Sequence, residues 1–342
     1  MLIPLKSLLR KLAGIAIYQA GIGYAFESIT RPEGAIVLMY HSVANAANAA
    51  FIDPPNRISQ EKFEIQMRFL RRHRRVVPVS TLVQELAKGN TFPAGTVCIT
   101  FDDGYLDNLT IAAPILEKYE LPAMLYLATG YVERGASQWA DVLYWLLRHR
   151  TSDRLSIPWI SPERSNLASR GDMAGTRELL HRFLLEACYE DRARTLEALE
   201  QQLAPSCRPP RLTLTWDDVR ELRRRYPLFE IGGHTREHID LRRHKGDPAR
   251  MQINRCADDL RRELGAEPEH FSFPYGRWCP ETRGLVIAAG WKSAVGISAK
   301  IRVDRESDRF AIPRVEAPQT LADLGFKTSG AYPGVFSWLG KT

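Results

Sequence analysis

The chain has 342 residues, of which 44% are hydrophobic and 25% charged, with a net charge of +7. That composition excludes collagenous, disordered and multi-span membrane classes and suits one large α/β domain or two ordinary ones. The arginines are spread through helical stretches rather than gathered in a tail, so nucleic acid is not an expected partner. Five cysteines (Cys98, Cys188, Cys207, Cys256, Cys279) with no C-x-x-C pair point to a reducing compartment rather than a disulfide framework.

Residues 1–34 place Lys6, Arg10 and Lys11 ahead of an apolar run that Gln19 and several glycines interrupt. The run is too short and broken to span a bilayer, and no small-x-small cleavage site follows it. It reads as an amphipathic helix, docked on the domain or lying on a membrane face. The expected location is cytoplasmic, or peripheral at the inner membrane face. From Ala35 onward, strand and helix patterns alternate. Ala35 to Tyr40 is an apolar run ending at His41. Phe63, Met67 and Leu70 share a helical face, and Val76 to Val79 reads as a second strand. Thr96 to Ile99 leads into Thr100-Phe101-Asp102-Asp103-Gly104-Tyr105, then a helix around Pro114 to Leu116 and a strand at Ala123 to Leu127. Residues 139–213 break this rhythm with helical patterns and read as an insertion covering one rim. Its Trp139, Trp145 and Trp159 either pack in a core or line a sugar groove. Strands resume at Phe229 to Ile231, Phe271 to Phe273, Ala294 to Gly296 and Phe310 to Ile312, with helices over Pro248 to Leu264 and Pro280 to Ala289. Seven or eight strands alternating with helices over residues 35–330 predict a parallel (β/α) barrel, followed by a tail at 331–342. A doubly wound open sheet is the alternative.

Several of these strands end in residues that carry chemistry. Asp102 and Asp103 are adjacent carboxylates at a strand end, and a cation beside them would let both stay ionised. Asp-Gly is also ordinary turn chemistry. Ile231-Gly232-Gly233-His234-Thr235-Arg236-Glu237-His238 spaces two histidines four apart, as on one helical turn. With a carboxylate they make an open three-ligand site. Phe273-Pro274-Tyr275-Gly276 ends another strand in a turn that could offer a backbone N–H to an oxyanion. In a parallel barrel His41, Asp102, Asp103, His234 and Tyr275 all converge on the C-terminal rim, where active sites of such barrels lie. The inventory suits amide hydrolysis. A divalent metal sits on Asp103, His234 and His238, with zinc best matched to the donors and cobalt, nickel or manganese also compatible. Asp102 is the base, His41 the acid, and the Tyr275 N–H a stabiliser of the oxyanion.

With these residues placed, the chain resembles the polysaccharide deacetylase (NodB-homology) family through T-F-D-D-G-Y, H-T-x-x-H and F-P-Y-G, in that order, over roughly Ala35 to Val315. The resemblance implies a distorted (β/α) barrel, a divalent metal, and removal of acetyl groups from N-acetylated sugars. It assigns Asp102 as base and Asp103, His234 and His238 as ligands. The stretch Leu38-Met39-Tyr40-His41-Ser42-Val43 is similar to the exopolysaccharide branch, whose catalytic acid lies near the N-terminus, at the position of His41. Many relatives carry an arginine in the third motif where this chain has Ser272, and Arg314 is the candidate to reach Asp102 in its place. The expected substrate is an N-acetylated glycan or glycolipid precursor in exopolysaccharide biosynthesis. The alternatives are an amidase or deformylase on another small amide, and a catalytically silent glycan-binding module. A non-haem iron oxygenase fits less well, because its usual motif places a histidine and the carboxylate close in sequence.

Overall fold

The structure is a computed structural model that describes residues 33–161 and 165–329; the C-terminal tail, and all but Glu33 and Gly34 of the N-terminal segment, lie outside them. Among the described residues no helix is long and apolar enough to cross a membrane. Eight parallel strands form the central sheet: β1 (Ala35–Tyr40), β2 (Thr96–Asp103), β3 (Ala123–Leu127), β4 (Phe229–Gly233), β5 (His270–Ser272), β6 (Ser293–Gly296), β7 (Ile312–Pro313) and β8 (Val315–Glu316). They are ordered β7-β6-β5-β4-β3-β2-β1-β8. That order follows the chain without the reversal of a doubly wound sheet, so a barrel-like fold is what forms. The two ends of the sheet are joined by a single residue, Arg314. On one side Gly296 pairs with Pro313, and on the other Leu38 pairs with Val315. The chain itself closes the seam.

The strands are buried on both faces, as a parallel sheet wrapped by helices requires. Alternate residues fall into two clusters. Ile36, Leu38, Val97, Ile99 and Phe101 join the layer beneath the outer helices. Ala35, Val37, Cys98, Met124, Tyr126, Val295 and Ile312 form the second cluster, together with Val79, Leu82, Val83, Leu86 and Phe92. Helices α1 (Gln60–His73), α2 (Val79–Ala87), α3 (Ala113–Lys118) and α4 (Thr129–Arg134) precede the insertion. The face of α1 carrying Phe63, Met67 and Leu70 is buried as its periodicity predicts. The strand expected over Val76 to Val79 is only Arg75–Val76, paired with the start of β2. Pro78 ends it and caps α2, whose first N–H groups, at Val79 and Ser80, are taken by the Glu230 carboxylate at 2.9 and 3.3 Å. The segment therefore becomes part of the second apolar cluster instead of a full strand.

The insertion comprises α5 (Trp139–Arg148), α6 (Arg170–Glu186) and α7 (Tyr189–Leu203) around their own apolar cluster, which includes Trp139, Leu143, Leu146, Leu180, Leu184, Leu199 and Leu203. Trp139 and Trp145 are buried, and Trp159 is 43% exposed with its indole N–H on Thr195. Helices α8 (Trp216–Arg225), α9 (Gly246–Leu264), α10 (Pro280–Ala288) and α11 (Leu321–Thr328) complete the outer layer.

Candidate active site

Strand register gathers the site. Tyr40 pairs with Phe101, so one step further sets His41 beside Asp102; Asp103 pairs with Leu127, and Leu127 with Gly233, just before His234. His41, Asp102, Asp103, His234, His238 and Tyr275 all line one cavity of about 230 Å³. Gln138 and, from the insertion, Trp139, Ala140, His181 and Leu185 supply part of its wall. The predicted site residues are thus brought together on the rim, with Arg314 immediately beneath Asp102.

Asp103, His234 and His238 form a buried group whose donor atoms all lie within 4.8 Å of one another. Asp103 Oδ1 is 3.2 Å from His238 Nε2 and 3.7 Å from His234 Nε2. That oxygen is buried and takes no hydrogen bond. An orphaned carboxylate oxygen facing two imidazole nitrogens is the donor set of a divalent cation, so these residues fit the metal. Burial, then the charges of Asp102 and Asp141, push the Asp103 carboxyl well above the ordinary range. Burial lowers both histidines, and His234 and Arg192 lower His238 further, so each ring keeps a free lone pair. His234 Nδ1 sits 2.8 Å from the Ser272 carbonyl, which fixes its proton there and leaves Nε2 as donor.

The histidine pair does not lie on a helix. His234 follows β4 directly, and Thr235 and His238 both have positive φ, at 61° and 48°. Two left-handed residues fold the loop back on itself, which gives the four-residue spacing without a helical turn. The loop is tied down throughout: His234 N–H donates to Leu127 O at 2.9 Å, Thr129 N–H to Thr235 O at 3.2 Å, and Gly130 N–H to Arg236 O at 2.9 Å. Glu237 is held by Arg134 and by Gln252. Gly130 is required by this approach, since a Cβ there would stand 2.8 Å from Arg236 O.

Arg314 grips Asp102 through two parallel hydrogen bonds, Nη1 to Oδ1 at 2.7 Å and Nη2 to Oδ2 at 2.6 Å. Nη2 also donates to the Ser272 hydroxyl at 2.8 Å and Nη1 to Thr100 Oγ1 at 3.1 Å. Arg314 is thus seated directly against Ser272. Burial alone would raise Asp102. Arg314 and His234 outweigh it and hold the carboxyl well below the ordinary range.

His41 is fixed through its backbone, whose carbonyl accepts from Asn108 Nδ2 at 2.8 Å. Asp107 accepts from the Ser42 hydroxyl at 2.6 Å and from Val43 N–H at 3.0 Å. A single π-helical turn at Asn108–Ala112 carries this support. Burial lowers His41, and Asp102 opposes that shift. Sequence reasoning overlooked Asp107 and Asn108, although they directly follow the Asp102-Asp103 stretch. It also overlooked the Tyr275 side chain. Tyr275 has φ +58°, and its hydroxyl lies 3.1 Å from His238 Nδ1 and accepts from Trp139 Nε1 at 2.9 Å. The turn's own hydrogen bonds run from Gly276 N–H to Phe273 O and from Arg277 N–H to Pro274 O.

Comparison with known proteins bears on family and fold. The model of the polysaccharide deacetylase family matches residues 89–294. YxkH of Bacillus subtilis (strain 168), named as a polysaccharide deacetylase, is 24% identical over 157 residues, 44% of this chain and 52% of YxkH. The chain thus spans about half the length of that curated relative. Among solved structures, the Streptococcus pyogenes deacetylase PplD in complex with acetate superposes with a TM-score of 0.57 at 15% identity, covering 87% of this chain and 99% of PplD. IcaB from Ammonifex degensii gives 0.55 at 18% identity, covering 88% and 99%. The deacetylase domain of BpsB from Bordetella bronchiseptica gives 0.51 at 16%, covering 84% and 97%. At these identities the structures establish a shared fold.

Proposed function

We propose, from the premise that this chain belongs to the polysaccharide deacetylase family, that it is a metal-dependent hydrolase removing N-acetyl groups from an amino-sugar glycan or glycolipid precursor in exopolysaccharide biosynthesis. The observation that carries the reading is the orphaned Asp103 Oδ1 facing two histidine nitrogens, beside a second carboxylate clamped by Arg314. The family and the L-M-Y-H-S-V stretch at Leu38 to Val43 support the substrate class.

Asp103, His234 and His238 hold the divalent cation, zinc by the donor set. When bound, the cation supplies a Lewis acid and makes a neighbouring water more acidic. Asp102, kept ionised and oriented by Arg314, takes the proton of the attacking water on its carboxylate. The Tyr275 N–H, which the turn's own two hydrogen bonds leave aside, donates to the carbonyl oxygen as it gains negative charge. His41, which lines the same cavity, gives its proton to the departing amine nitrogen.

Metal content and acetate release are measured together, on the wild type and on His234→Ala, with chitooligosaccharides and lipid-linked amino sugars as substrates. The wild type is expected to hold one divalent ion per chain and to release acetate, and His234→Ala to lose both. A metal-free wild type that still releases acetate overturns the scheme. Release of formate in place of acetate favours a deformylase, and sugar binding without any turnover favours a silent glycan-binding module.

A further inference from the structure

The two histidine ligands are supported by different parts of the molecule. His234 is held by the barrel alone, through Ser272 O and Leu127 O. His238 is reached from the insertion by two buried side chains. Arg192 on α7 is 1% exposed. Its Nε donates to Leu184 O at 3.0 Å, and its Nη1 donates to Glu237 O at 3.2 Å and His238 O at 3.4 Å, with the guanidinium lying over the Trp139 ring. A buried cation spent on backbone carbonyls carries a desolvation cost that those dipoles and the ring face must offset. The second arm is Trp139, whose Nε1 donates to the Tyr275 hydroxyl at 2.9 Å. That hydroxyl also faces His238 Nδ1 at 3.1 Å and donates to His238 O at 3.3 Å.

The proton positions follow from these contacts. With His238 Nε2 turned to Asp103, the ring proton sits on Nδ1 and is donated to Tyr275 Oη. Tyr275 Oη then accepts from His238 and Trp139 and donates to the His238 carbonyl, using its full hydrogen-bonding capacity. From the barrel, His238 is met by the Tyr275 hydroxyl, which the insertion holds through Trp139.

We propose that Arg192 and the Trp139–Tyr275 pair are positioning residues that set the tautomer and orientation of His238, so that the insertion is a structural part of the metal centre and not only a cover above it. This rests on the metal-site reading given above. Tyr275 therefore has two separable roles: its backbone N–H serves the oxyanion and its hydroxyl serves the ligand.

The test measures Zn²⁺ affinity of the metal-stripped full chain by competition with a chromophoric chelator, and records the visible spectrum after loading with Co²⁺. The variants are Tyr275→Phe, Trp139→Phe and Arg192→Met, with Arg194→Ala as control on the same helix, and circular dichroism and Tm establish that each is folded. Loss of an outer-shell partner is expected to weaken Zn²⁺ binding by about 10–100-fold and to shift the Co²⁺ bands. Arg194→Ala is expected to match the wild type, because its side chain is 60% exposed and meets Asp191 and the Trp159 ring rather than the metal ligands. Should Arg192→Met fail to fold, Tyr275→Phe and Trp139→Phe decide the matter. Folded variants with wild-type affinity and spectrum overturn this inference alone. A wild type that binds no Zn²⁺ or Co²⁺ overturns the metal-site reading and this inference with it.

Discussion

At the scale of single residues, Asp102 and Asp103 are neighbours in sequence with opposite electrostatic surroundings. Asp102 faces a guanidinium and stays ionised, while Asp103 is pushed toward protonation unless a cation joins it. Asp102→Asn keeps the shape but cannot accept the proton. It is expected to cut acetate release by about 10²–10⁴-fold while metal content, read by elemental analysis, is unchanged. Arg314→Met leaves Asp102 buried without its partner. Breaking such a pair is expected to cost about 3–5 kcal/mol in denaturant unfolding and to lower kcat with metal still bound. Unchanged turnover in Arg314→Met would remove it from the mechanism. The residues at strand ends were legible in the sequence because each is announced locally, by an apolar run and a turn. Arg314 was legible only through the unexpected Ser272, which marks a vacated role without saying who fills it.

At the scale of elements, one link between barrel and insertion runs through Asp141 on α5. It accepts from the Tyr105 hydroxyl at 2.6 Å and from Asp53 N–H at 2.8 Å, and Arg177 on α6 holds the Asp53 carboxylate. Burial raises Asp141 from about 3.8 to about 7, with the Tyr105 and Asp53 hydrogen bonds opposing the shift. A carboxyl whose folded pKa is raised contributes stability that is complete below the unfolded value and is lost as pH climbs through the folded one. The stability advantage of the wild type over Asp141→Asn, read as the difference in unfolding midpoint from pH 5 to pH 8, should therefore shrink as pH rises. Gly233 gives a second test. A Cβ there would press into the Trp291 ring and stand 2.8 Å from Cys256 Sγ. Gly233→Ala is expected to destabilise by about 1–3 kcal/mol in denaturant titration. None of these contacts is visible in periodicity, since each joins segments distant in sequence that only the folded chain brings together. The spacing of His234 and His238 misled for a related reason. Four residues bridge one side of a helix, but a loop with two left-handed residues spans the same interval, and only tertiary hydrogen bonds select it.

For the molecule as a whole, the proposed metal would be linked to folding. The ligands come from β2 and from the loop after β4, so a cation that binds the native chain and not the unfolded one stabilises it by about 2.7 kcal/mol at a hundredfold excess over Kd. Unfolding of metal-stripped protein should move to higher temperature as Zn²⁺ is added, and chelator should reverse the change. No shift would count against the site. The barrel as a class was legible because seven or eight apolar runs separated by helical patterns leave few ways to bury a parallel sheet.

The one-residue seam between β7 and β8 makes Arg314 both the closing link of the sheet and the counter-charge of Asp102. Removing the chain from residue 314 onward would take both away at once: the two ends of the sheet would lose their covalent join, and a buried carboxylate would stand without its cation.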